Sequence, residues 1–191
     1  MQLHRLSAKV FLAPGSTVDA AKVSPMFHRW IRGNPVEGLL IDVADYTHVP
    51  DGPGVLLIGH QGDYAIDETD GKPGLLYVRK RDHAEGDLKA KLAQVLRHAL
   101  TACREVEADE KVGLTFAKGS LEIAFLDRLR VPNTPASVEP LRAQVAAAIS
   151  ELLGTPATVT AKSADPRACV AFTVSLAGTP DAATLLKKLG T

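Results

Sequence analysis

Two Pro/Gly-rich stretches, Pro50-Asp51-Gly52-Pro53-Gly54 and Asp70-Gly71-Lys72-Pro73-Gly74, cut the chain between Gly38 and Arg81 into three short apolar runs. Pro fixes φ and lacks an amide proton, and Gly admits φ > 0, so each stretch turns the chain and neither can sit inside a ladder. The runs they leave, residues 38–46, 55–66 and 75–81, are short and rich in Val, Ile, Leu and Tyr, as strands are. Strands joined by turns this short lie antiparallel. The spacing therefore predicts an antiparallel meander. Gly59 and Gly62 mark bulges in its middle run, which would re-aim His60 and Asp63 toward a common site.

Around this meander the periodicity alternates between two and three-to-four. Residues 3–12 read as a first strand, stopped by Ala13-Pro14-Gly15-Ser16. Ser24-Pro25 opens a short helix with Phe27, Trp30 and Ile31 on one face, and Gly33-Asn34-Pro35 ends it. From about residue 85 to 108, Leu88, Leu92, Val95, Ala99, Cys103 and Val106 recur at helical steps, which puts Lys91, Gln94 and His98 on the opposite, polar face. Strands near 112–118 and 121–127 then precede a helix near 138–153, capped by Ser137 and ended by Gly154. Strands near 157–162 and 168–176 precede a last helix opened by Thr179-Pro180. The order β-α-β-β-β-α-β-β-α-β-β-α implies an α+β fold with a mainly antiparallel sheet and helices packed on one face. Residues 1–191 are read as one domain, with a division into subdomains 1–110 and 111–191 as the alternative.

Lys plus Arg and Asp plus Glu are 22 each, so the chain has no general positive field for nucleic acid. No window reaches the length of an apolar membrane span, and the first residues lack a signal-like apolar core, which points to the cytoplasm. Cys103 and Cys169 form no CxxC pair and are expected to fill core positions. No P-loop, GxSxG or HExxH motif is present, and no cofactor is predicted.

Residues 34–71 depart from this balance. They contain no Lys or Arg, yet carry Glu37, Asp42, Asp45, Asp51, Asp63, Asp67, Glu68 and Asp70, with His48 and His60. Crowded carboxylates need solvent, cations or a partner to offset their repulsion. Turn geometry accounts for Asp51 and Asp70 beside Gly and Pro, and cross-strand pairing with Arg79, Lys80 and Arg81 would need no function. Two functional readings follow. In the leading one the chain is a non-catalytic binding or assembly protein. Its acidic meander, residues 37–70, contacts a protein partner or another subunit through Asp42, Asp45, Asp63 and Asp67, with Arg79 and Arg81 as the complementary basic contacts. In the alternative, Asp42, His48, His60 and Asp63 hold a divalent metal in a small enzyme such as a hydrolase. Spacing weighs against the metal site, because Asp42 and Asp45 are an odd number of residues apart and a regular strand points them to opposite faces. Whether the chain is an enzyme stays open at this point.

The phrases Phe27-His28-Arg29-Trp30, GLLIDVADY at 38–46 and HVPDGPGVLLIGH at 48–60 resemble those of a bacterial protein family without an assigned activity. The resemblance covers residues 26–81. It implies a bacterial cytoplasmic protein and supplies no catalytic residues.

Overall fold

A computed structural model describes residues 5–49, 52–80, 86–178 and 180–190. Eight strands form one antiparallel sheet: β1 (Leu6–Leu12), β2 (Leu40–Asp45), β3 (Val55–Gly59), β4 (Gly62–Asp67), β5 (Gly74–Arg79), β6 (Phe116–Phe125), β7 (Ala157–Ala161) and β8 (Val170–Leu176). Their spatial order is β2-β3-β4-β5-β1-β6-β8-β7. Four helices, α1 (Ala20–Gly33), α2 (Leu88–Glu107), α3 (Pro135–Leu153) and α4 (Ala182–Lys188), complete the α+β fold expected from the sequence. No helix among the described residues is long and apolar enough to cross a membrane.

Three local readings of the sequence are corrected. The run 55–66 is not one bulged strand but the hairpin β3–β4, with His60 and Gln61 as its turn. Gly59 and Gly62 flank that turn because the chain crosses itself closely there: a Cβ on Gly59 would stand 2.4 Å from the Gly62 carbonyl oxygen. Conversely, the two strands read near 112–118 and 121–127 are the single strand β6. Helix α1 begins earlier than Ser24, because Asp19 accepts the Ala21 amide as its cap and Pro25 is carried inside the helix.

Alternation along each strand sends one set of side chains to a single core. Leu6, Ala8 and Val10 of β1 lie beside Tyr77 and Leu75 of β5 and beside Phe125, Ile123 and Leu121 of β6, and all are buried against the helices. Leu92, Val95, Ala99 and Cys103 of α2 face this core as their spacing predicts. The predicted polar face of α2 is wrong at two positions. Lys91 and His98 are 5% and 7% exposed, because α2 packs on β1 and β5 and is flanked by α3 and α4.

Candidate functional site

The structure disperses the acidic residues of the meander. Asp63 pairs with Lys80 Nζ at 2.7 Å and accepts the Gly59 amide. Asp67 pairs with Lys9 at 2.5 Å, and Asp70 with Lys162 at 2.8 Å. Lys162 also reaches Glu122 at 2.8 Å; burial opposes its charge, but the hydrogen bonds to Asp70 and Glu122 hold its ammonium above the ordinary lysine range. Intramolecular pairing thus accounts for three of the acids, with Lys80 taking the role expected of the basic run. Asp42 and Asp45 remain exposed. Asp42 Oδ1 accepts the Val43 amide at 2.8 Å, and Asp45 accepts both the amide and the hydroxyl of Thr47. The Thr47 hydroxyl, then its amide, hold the Asp45 carboxyl below its ordinary range, with a smaller contribution from His48, so Asp45 is ionised.

Two of the expected contact groups are not on the surface. Arg79, 1% exposed, lies on the helix side of β5, where Nη1 donates to Gln94 Oε1, and Asp67 is sunk beside Lys9. Neither can meet a partner. Arg81 lies outside the described residues. The expected metal ligands are likewise not assembled: Asp42 sits on β2, His48 in the exposed turn that follows, His60 in the β3–β4 turn and Asp63 against Lys80. Among the described residues no three His, Cys, Asp or Glu side chains group closely enough to hold a metal ion.

Two features escaped the sequence reading. One is a buried polar cluster behind β4 and β5. Tyr64 Oη and His98 Nδ1 are 2.9 Å apart, and the His98 ring stacks on Tyr77 at 4.5 Å between centroids. Burial pushes His98 below its ordinary pKa, and pushes both tyrosine hydroxyls upward. Each of these rings is enclosed by core, and the cleft beside Gly38, Gly59 and Gly62 that leads toward Tyr64 and Tyr77 is only about 10 Å³, one water's worth.

The other feature is the sheet's second face, on which no described helix lies. The register aligns its side chains in rows across the strands. One row runs Ala44, Leu56, Ala65, Leu76, Lys9, Glu122, Thr173, Thr160 from β2 to β7. Its neighbour runs Asp42, Ile58, Asp63, Val78, Ser7, Ala124, Ala171. The face is therefore divided at β1: over β2–β5 Leu56, Ile58, Ala65, Leu76 and Val78 are interspersed with Asp42 and Asp63, β1 and β6 carry Lys9 and Glu122, and the strands beyond are rich in Ser and Thr. Leu56, Ile58, Leu76 and Val78 are half-buried and stay outside the helix-side core. A bulge in β2 sets Ile41 with Asp42 against Ile58, and Ile41 is 53% exposed. Leu39, Tyr46 and Val49 add exposed apolar surface at the same edge. The signal for this face was present in VLLIG at 55–59 and GLLYVR at 74–79. Both are apolar at consecutive positions, the pattern of a strand covered on both sides.

No protein family, curated protein or solved structure matches the chain in comparisons of its sequence and fold.

Proposed function

We propose that the chain is a non-catalytic binding or assembly protein whose β2–β5 meander contacts a partner or another subunit through its helix-free face. The observation that carries this reading is the two-sided apolar character of β3 and β5. A solvated antiparallel face ordinarily alternates to polar residues, whereas here Leu56, Ile58, Leu76 and Val78 occupy it. Contiguous apolar surface of this kind marks contact sites. The acids contribute less than the sequence suggests, because Asp63 and Asp67 are neutralised within the chain, Asp45 stands opposite Val55 in the helix-side register, and Asp42 alone borders the apolar rows without an ion pair among the described residues. The alternative reading, a metal-dependent enzyme, has no converging ligand set among the described residues to support it.

The test places a photo-crosslinking amino acid at Leu56 or Val78 in the expressing cell, with exposed Ala143 on α3 as the control position. Discrete adducts from both face positions, absent at Ala143 and lost on adding Ile58→Lys, are expected. Adducts no more frequent than at Ala143 would remove the proposal.

A further inference from the structure

We infer that the occupant of this face is a second copy of the chain, packed face to face about a two-fold axis that runs along the strands between β3 and β4. The inference rests on the reading of the face given above. Side-chain size alternates across the four strands. From β2 to β5 one row reads Ala44, Leu56, Ala65, Leu76 and its neighbour Asp42, Ile58, Asp63, Val78. The aliphatic side chains of β3 and β5 thus form two ridges, and the shorter ones of β2 and β4 leave a trough beside each. A row of four that alternates in this way becomes its own complement when it is reversed, and the two-fold reverses it. Leu56 then falls over the partner's Ala65 and Leu76 over the partner's Ala44, while Ile58 falls over the partner's Asp63 and Val78 over the partner's Asp42. Facing sheets interdigitate in this manner at a separation of about 10 Å and cross at about 30°, so the match is closest at β3 and β4, beside the axis.

Charge permits this arrangement. No acid is set over an acid, and it is like-charge juxtaposition that suppresses pairing. Asp63 is paired with Lys80 and accepts the Gly59 amide, so its own hairpin holds it. Asp42 is exposed on the outermost strand, with Oδ1 accepting the Val43 amide, which leaves its carboxylate at the rim. The same hydrogen bond and the bulge at Ile41 oppose the other way of joining two copies, strand to strand through the β2 edge. Four strands about 4.8 Å apart and about six residues long present roughly 400 Å² in projection. The relief of the ridges and the exposed Ile41 add to that area. A standard interface buries about 800 Å² per partner, so this contact is of that size or smaller, and its association is reversible in the micromolar range.

Sedimentation velocity of the full chain, from about 1 to about 300 µM, reads the association. A concentration-dependent shift from monomer to dimer is expected, and Ile58→Lys should abolish it over the whole range. The axis is read by placing the crosslinking amino acid at Leu56 or Val78 in purified chain. Mixing this with isotope-labelled parent chain distinguishes adducts between copies by mass. Leu56 should crosslink to β4 of the labelled copy, and Val78 to β2. These crosslinks stand whether or not the lysine variant folds. Adducts between copies that fall on other strands, or a dimer that folded Ile58→Lys leaves intact, would overturn the inference. A monomer at every concentration would also overturn it, and the crosslinks made in the cell then separate the two claims. Adducts to a different protein from both face positions would uphold the contact role of the face, whereas none from either would remove that role as well.

Discussion

Lys9 Nζ lies 2.5 Å from Asp67 Oδ2 on the helix-free face, and the two side chains are only 5% and 8% exposed. Gly74 makes this possible: the lysine stem lies across it, and a Cβ there would stand 3.1 Å from Lys9 Cε. The ammonium is also 5.8 Å from the centre of the Phe11 ring. Removing one member of a buried pair leaves the other charge uncompensated, whereas removing both leaves none. Lys9→Met or Asp67→Leu alone should therefore cost about 3–5 kcal/mol, and the double variant should be close to the parent. Urea unfolding of the four proteins checks this; purely additive losses would show that the pair is not coupled.

His98 gives the fold a defined response to acid. Burial holds its pKa below the ordinary 6.5, with Glu37 opposing and Arg97 adding to the shift. The unfolded chain thus takes up a proton before the folded one does, so stability is complete above about pH 6.5 and declines as pH falls toward the depressed value. His98→Phe removes the titration and leaves the Tyr64 hydroxyl without its imidazole partner. The variant should be less stable than the parent at neutral pH, by about 1–3 kcal/mol for a buried polar group left unsatisfied. Its melting temperature should then fall less steeply between neutral pH and about pH 5. Parallel pH profiles for the two proteins would contradict the assignment.

The β3–β4 turn admits no side chain at its entry. Gly59→Ala sets a Cβ 2.4 Å from the Gly62 carbonyl oxygen and 3.3 Å from that of Leu39, so backbone on both neighbouring strands must shift. A loss of about 1–3 kcal/mol is expected, seen as a lower denaturation midpoint at unchanged slope. At Gly33, where a Cβ meets nothing within 4 Å at the end of α1, alanine should be neutral or stabilising by up to about 1 kcal/mol.

What could be read from sequence here depended on whether a local rule had a competitor. The stripe Leu92, Val95, Ala99 and Cys103 was legible because helical spacing and core burial agree. His98 was placed on the wrong face because spacing describes one contact surface, while α2 is enclosed by the sheet on one side and by α3 and α4 on others. Gly59 and Gly62 signalled a break in the strand, but a bulge and a two-residue turn have the same local signature; only the pairing of Leu57 with Tyr64 distinguishes them. In the acidic meander, the charge count showed the excess of carboxylates but not the cations that offset them. Lys9 and Lys162, which pair with Asp67 and Asp70, lie 58 and 92 residues away from them in the chain, 67 − 9 and 162 − 70, beyond any local pattern.

The position of β1 bears on how the molecule is made. It is hydrogen-bonded to β5 on one side and to β6 on the other. During synthesis β1 emerges well ahead of both neighbours, so its apolar residues Leu6, Ala8 and Val10 must wait for the ladders that enclose them. Pairings this distant along the chain slow folding and leave the early strand open to the wrong associations. Lys9, between Ala8 and Val10, keeps a charge on that waiting strand until Asp67 arrives to receive it.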